Sequence, residues 1–127
     1  MNVARVGQVQ SFRSDGVISN ILLRWGSFEA RNLLISWTTI APGGEQHSHT
    51  HSGTEQAYIV IAGMGRMQVR EEHQLVSAGT LVFVPPGVPH SISNPGDEDL
   101  TYITAASPPF PVERFFAANR AGGSPAI

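Results

Sequence analysis

Short apolar runs separated by turn-forming residues dominate the chain. Val17 to Trp25 is mostly β-branched or apolar, interrupted by Asn20 and Arg24. Asn32 to Ile40 contains Leu33, Leu34, Ile35, Trp37, Thr38, Thr39 and Ile40, a composition that suits a pleated, half-buried surface. Pro42-Gly43-Gly44 ends that run. Ala57 to Ile61 is a third apolar run, closed by Gly63 and Gly65. From Arg66 to Arg70 polar and apolar residues alternate, which predicts a strand with Met67 and Val69 on one face. Glu71 to Gln74 reads as a turn. Leu81 to Val84, His90 to Ser93 and Leu100 to Ala105 complete the strand set, and Pro85-Pro86-Gly87 breaks it between the first two.

Short strands at fairly regular spacing, with turn signals between them, predict an all-β sandwich or barrel. No fixed-period repeat appears, so a solenoid is not expected. After Pro108 the pattern changes. Val112 to Asn119 lacks helix breakers and Pro111 suits a helix start, so a short C-terminal helix is expected. Gly122-Gly123-Ser124-Pro125 reads as a frayed end. Phe110, Phe115 and Phe116 are too apolar for a free tail and are expected to dock on the barrel or on a second subunit.

Length sharpens this picture: 127 residues fit one domain, taken as residues 1–127. An apolar fraction of 41% is enough for a packed interior, while 14% charge with 13 Gly and 9 Pro favours strands and tight turns over long charged helices. The net charge of −2 gives no reason to expect nucleic acid as a partner. With no Cys, disulfides, thiolate metal sites and Cys nucleophiles are excluded. Met1 to Gln10 has no apolar segment of signal-peptide length, and no stretch approaches a membrane span. The expectation is a soluble cytoplasmic protein with no membrane partner.

Three of the five His stand at alternate positions, His47, His49 and His51. On a strand, residues i and i+2 share a face about 6.6 Å apart, so two such imidazoles can lean onto one metal ion. His47 and His51 would lie about 13 Å apart on a regular strand, too far for one ion without a bend. Spacing therefore supports a pair, either His47 with His49 or His49 with His51. Adjacent Glu55 and Gln56 would point to opposite faces, so one of them at most joins the site.

The surrounding residues resemble the cupin family. Gly43, five residues, His49-Thr50-His51, four residues, Gln56, six residues and Gly63 match the first cupin motif, with Gln56 in place of the usual glutamate. Gly79, five residues, Pro85-Pro86-Gly87, two residues, His90, three residues and Asn94 match the second at every defining position. Together the motifs cover residues 43 to 94. The resemblance implies a double-stranded β-helix, or jelly-roll, barrel holding one divalent transition metal (Fe, Mn, Zn or Ni) on His49, His51, Gln56 and His90. With His49 and His51 as the pair, the glycines and Gln56 fall into register, and the onward distance to Gly63 favours Gln56 over Glu55. His47 would share the ligand face and sit at the pocket mouth or bind a substrate group, or become an extra ligand if the strand bends. A plainer arrangement has three His and water, with Gln56 solvated.

The resemblance also implies a homodimer and a small-molecule ligand. A site with three imidazoles and an amide keeps the ion's full charge and lacks a built-in base, so His47, Tyr58, Tyr102 or a metal-bound water would have to move protons. Two functions follow: a metal-dependent enzyme (a dioxygenase, or an isomerase, cyclase or decarboxylase) on a chelated carboxylate, sugar-acid or polyphenol-like substrate, or a binding or sensing module without turnover. Trp25, Trp37, Met67 and Phe83 are expected in the core or lining a cavity, Arg24 at an edge, and His73 exposed in a turn.

Overall fold

The computed structural model describes residues 1–113 and 116. Among them the strands are, in chain order, β1 Ser11–Ser14, β2 Val17–Leu23, β3 Leu34–Ile40, β4 Glu45–His49, β5 Glu55–Ala62, β6 Met64–Val69, β7 Glu72–Ser77, β8 Leu81–Val84, β9 His90–Ser93 and β10 Leu100–Ser107. They form a six-stranded sheet, β1-β2-β3-β10-β5-β8, and a four-stranded sheet, β4-β9-β6-β7. All pairings are antiparallel. The two sheets form the jelly-roll barrel that the pattern and the resemblance imply.

Period-two alternation sets the inside of this barrel. On β3 the buried positions are Leu34, Ser36, Thr38 and Ile40, and on β10 they are Leu100, Tyr102, Thr104 and Ala106. One apolar cluster joins the sheets: Val17, Ile40, Tyr58, Leu100 and Tyr102 from one meet Met67, Val76 and Ile92 from the other. Each fully buried aliphatic side chain contributes roughly 1.5–3 kcal/mol. A second cluster, at the other end of the large sheet, packs Ile21, Leu34 and Ala106 against Val112 and Phe116. Between the two clusters lie the hydroxyl residues Ser19, Ser36, Thr38 and Thr104, all buried.

Local chemistry explains the connections. Asp15 and Gly16 both have positive φ, the conformation a two-residue hairpin loop requires, and they join β1 to β2. Gly63 alone separates β5 from β6. Its φ is +80°, and a side-chain carbon there would collide with the Asp99 carbonyl. Asn94 closes the β9–β10 loop: its amide donates to the Ile40 and Glu98 carbonyls at 2.8 and 2.7 Å, and its Oδ1 accepts from the Gly96 N–H at 2.9 Å.

Several sequence expectations need correction. Glu71–Gln74 is not a turn; only Arg70 and Glu71 link β6 to β7, and His73 lies on β7, exposed. Strand β7 has one buried residue, Val76, so it shows no alternation to read. Trp25 and Phe83 are not core: they are 64% and 51% exposed. Phe110 and Phe116 do dock on the barrel, where Phe116 stacks on Phe12 with ring centroids 5.3 Å apart. Arg24 tethers this segment through an ion pair with Glu113 at 2.5 Å. Of the expected C-terminal helix, Val112, Glu113 and Phe116 have helical backbone, and the rest, with Phe115 and the Gly122–Pro125 end, lies outside the described residues. No helix among the described residues is long and apolar enough to cross a membrane.

Candidate metal centre

His49 ends β4 and His90 begins β9, and the two are paired directly across the four-stranded sheet. His51 follows two residues after β4, its carbonyl fixed by the Gly87 N–H at 3.0 Å. All three are buried, and one ligand nitrogen from each lies within 4.8 Å of the others. Around one ion with bonds of about 2.0–2.1 Å, donor nitrogens lie roughly 3–4 Å apart, so the observed spread is close to a coordinating arrangement.

Two of the rings are held by backbone. His49 Nδ1 lies 2.7 Å from the His47 carbonyl and His90 Nδ1 lies 2.9 Å from the Val88 carbonyl. A carbonyl can only accept, so each Nδ1 carries the proton and each Nε2 presents a lone pair. This is the arrangement by which metal-binding imidazoles are usually oriented. Burial, with repulsion from its neighbours His90 and His51, pushes His49 well below the ordinary imidazole range; burial and His90 push His51 down to about 3; burial lowers His90 against the opposing Val88 hydrogen bond. The three rings are neutral near pH 7, the form that binds metal.

Gln56, on β5, is buried and lines the same small cavity as His49 and His51. Glu55 is exposed. Gln56 Oε1 and His90 Nε2 are buried and have no hydrogen-bond partner among the described residues. Leaving such atoms unsatisfied costs about 1–3 kcal/mol each. A divalent ion would satisfy both, so the residues fit one.

His47 does not share the ligand face. The β4–β9 register shifts between Gln46 and His49, which breaks the alternation. Gln46 therefore points inward and His47 outward, where its Nε2 lies 3.0 Å from Asp15 Oδ2 and its Nδ1 3.4 Å from Glu45 Oε1. Sequence reasoning missed Gln46, because a bulge is not written in an alternating pattern. Tyr58 and Tyr102 are buried completely, their rings 5.3 Å apart, and both hydroxyls donate to Gln46 Oε1, at 3.3 and 3.1 Å. Burial raises both phenols well above their usual range.

Phe110 borders the cavity. Phe110 lies flat on His51, centroids 3.8 Å apart and planes 10° from parallel. Thr54 donates to the Pro108 carbonyl at 2.8 Å and holds this segment down. The cavity beneath is about 30 Å³, room for a water or two.

The cupin domain matches residues 36–105, more than half of the chain and every residue of the centre. This chain belongs to the cupin family. Among curated proteins this cupin is 27% identical over 96 residues to an uncharacterised protein of Methanocaldococcus jannaschii, covering 76% of this chain and 77% of that one. It is 29% identical over 87 residues to the mannose-1-phosphate guanylyltransferase RfbM of Salmonella typhimurium, covering 65% of this chain but spanning only 18% of that enzyme. Among solved structures, a predicted oxalate decarboxylase from Thermotoga maritima superposes with a TM-score of 0.75 at 23% identity, covering 83% of this cupin and 97% of that chain. KdgF from Halomonas sp. gives 0.74 at 16% identity, covering 85% and 95%. At these identities the structural likeness establishes the fold.

Proposed function

We propose that His49, His51, His90 and Gln56 hold one divalent transition metal and that the chain is a metal-dependent enzyme acting on a small oxygenated compound chelated there. The observation that carries this reading is the meeting of three buried, neutral imidazoles with a Gln56 Oε1 that has no partner among the described residues, beside a small cavity lined by His49, His51 and Gln56. A carboxylate, sugar acid or polyphenol fits, because a donor set without carboxylate leaves the ion's charge free for anionic oxygens. A bound Fe or Mn would supply oxygen chemistry of the dioxygenase kind, and Zn or Ni polarisation suited to isomerisation, cyclisation or decarboxylation.

The chain's own residues have separate tasks in this reading. The His47 and Val88 carbonyls fix two imidazoles in the donor tautomer. Phe110 excludes water. Tyr58 and Tyr102 stay protonated and position Gln46 rather than take protons. Exposed Leu81 and Phe83 on edge strand β8 support a homodimer of one-domain chains. The experiment is metal analysis of the purified protein together with turnover of candidate acids in wild type and His49→Ala. A stoichiometric metal and turnover, both lost in the variant, support the enzyme; absence of metal sinks it.

One observation favours a second reading, a binding or sensing module. Apart from His49 and His51, which the metal would occupy, no titratable base faces the cavity among the described residues: His47 turns outward and both tyrosines are held by Gln46. Recovery of unchanged ligand after long incubation with the metal-loaded protein selects it.

A further inference from the structure

The wall of the cavity across from the imidazoles is polar where a barrel interior is ordinarily apolar. Ser19 on β2, Ser36 and Thr38 on β3, and Thr104 on β10 occupy inward positions on three adjoining strands. Their hydroxyls form a continuous chain: Ser19 with Thr38 at 2.9 Å, Thr38 with Ser36 at 3.4 Å, and Ser36 with Thr104 in close contact. All four border the cavity that His49, His51 and Gln56 also line. Above and below the belt the same sheet is apolar, with Ile21, Leu34 and Ala106 on one side and Val17, Ile40 and Leu100 on the other. Cross-strand hydroxyl pairs do stabilise sheets. That alone does not explain why they are confined to the level of the metal centre, where aliphatic side chains would bury without the cost of desolvating hydroxyls.

Gln46, on β4 with His49, reaches over to the large sheet and adds a carboxamide to this lining. Its Oε1 is taken by the two tyrosine hydroxyls, which fixes the orientation of the carboxamide. What it has left to offer the cavity is Nε2, with two N–H donors. Among the described residues no Arg, Lys, Asp or Glu lines this cavity. The wall can therefore donate and accept hydrogen bonds but cannot neutralise a second charge.

We infer that Gln46 and the hydroxyls of Ser19, Ser36, Thr38 and Thr104 are the specificity-determining wall for the uncharged, hydroxyl-bearing end of a small ligand whose other end meets the metal. The inference rests on the metal reading above. It narrows the substrate class to compact hydroxy acids or hydroxy ketones of a few carbons and excludes compounds charged at both ends. The small cavity volume limits the size, and anything larger than a water or two requires Phe110 to move off His51.

The test uses three acids with the same chelating head, lactate, glycerate and hydroxymalonate, which end in a methyl, a hydroxymethyl and a carboxylate. Each is titrated into Co²⁺-loaded protein and followed by visible absorption. Glycerate is expected to bind about tenfold tighter than either of the others, the worth of one good hydrogen bond. In Gln46→Met the glycerate-to-lactate ratio should fall to within about twofold, for loss of that same bond. Ser36→Ala, which keeps the tyrosine anchors intact, serves if Gln46→Met does not fold, and should also narrow the ratio. Equal binding of the three acids, tightest binding of hydroxymalonate, or an unchanged ratio in the variants overturns the inference while leaving the metal reading standing. Failure to take up Co²⁺ overturns both.

Discussion

His49 and His90 face each other across the β4–β9 pair, and each turns its Nδ1–H back onto the carbonyl two residues earlier in the chain, that of His47 and of Val88. Two rings from two strands are thus held in one tautomer by the same device, and both leave Nε2 to the interior. Backbone supplies the orientation, so no carboxylate is needed behind either imidazole.

The fourth position separates Gln56 from its neighbour. Gln56→Ala should weaken metal binding by roughly 10–100-fold, the range for losing a supporting ligand, whereas Glu55→Ala, at an exposed position, should leave it within about twofold, as surface changes generally do. Gln56→Glu should tighten metal binding and weaken that of anionic ligands, because the added carboxylate cancels part of the ion's charge. Calorimetric titration of the three variants checks all three outcomes.

Acid should destabilise the metal-free protein. The folded chain holds its buried histidines below 6.5, His49 well below and His51 at about 3. Between those values the unfolded chain binds protons that the folded one does not, so stability falls as pH falls. For His51 the loss begins near pH 6.5 and ends near pH 3. Each such histidine contributes up to about 1.4 kcal/mol per pH unit in its window. Urea midpoints measured from pH 7.5 to 4.5 should decline steadily, and replacing His51 with Gln should flatten the decline. A midpoint that rises with acid would contradict the neutral-imidazole centre.

Phe110 should control access. Its stack on His51 is worth about 0.5–1.5 kcal/mol beyond simple burial. Phe110→Ala should therefore speed removal of bound metal by a chelator by up to about tenfold, with a modest fall in thermal stability. An unchanged stripping rate would place the entry path elsewhere.

How much of this was legible in the sequence depended on how regular each element is. The apolar runs on β2, β3, β5, β8 and β10 and the two histidine-bearing motifs announce the barrel. Strand β7 does not, because four of its first residues, Glu72 to Leu75, are exposed on a sheet edge. Strand β1 is four residues long, and its only signal is the Asp15-Gly16 dipeptide. The inward turn of Gln46 and the outward turn of His47 depend on a register shift that only the partner strand imposes. The alternating His47-Ser48-His49 pattern points the other way. Trp25 and Phe83 look like core by residue type, yet one lies in the loop after β2 and the other on the outer face of edge strand β8, and both are exposed.

One ion is expected on His49, His51 and His90 with Gln56. Calorimetric titration of the metal-stripped protein with Mn²⁺, Ni²⁺ and Zn²⁺ tests it most directly. Binding should saturate at one ion per chain for at least one of these metals, with affinity lowered at least about 100-fold in both His49→Ala and His90→Ala when those variants remain folded. No saturable binding by the wild type, or equal binding by the folded histidine variants, would contradict it.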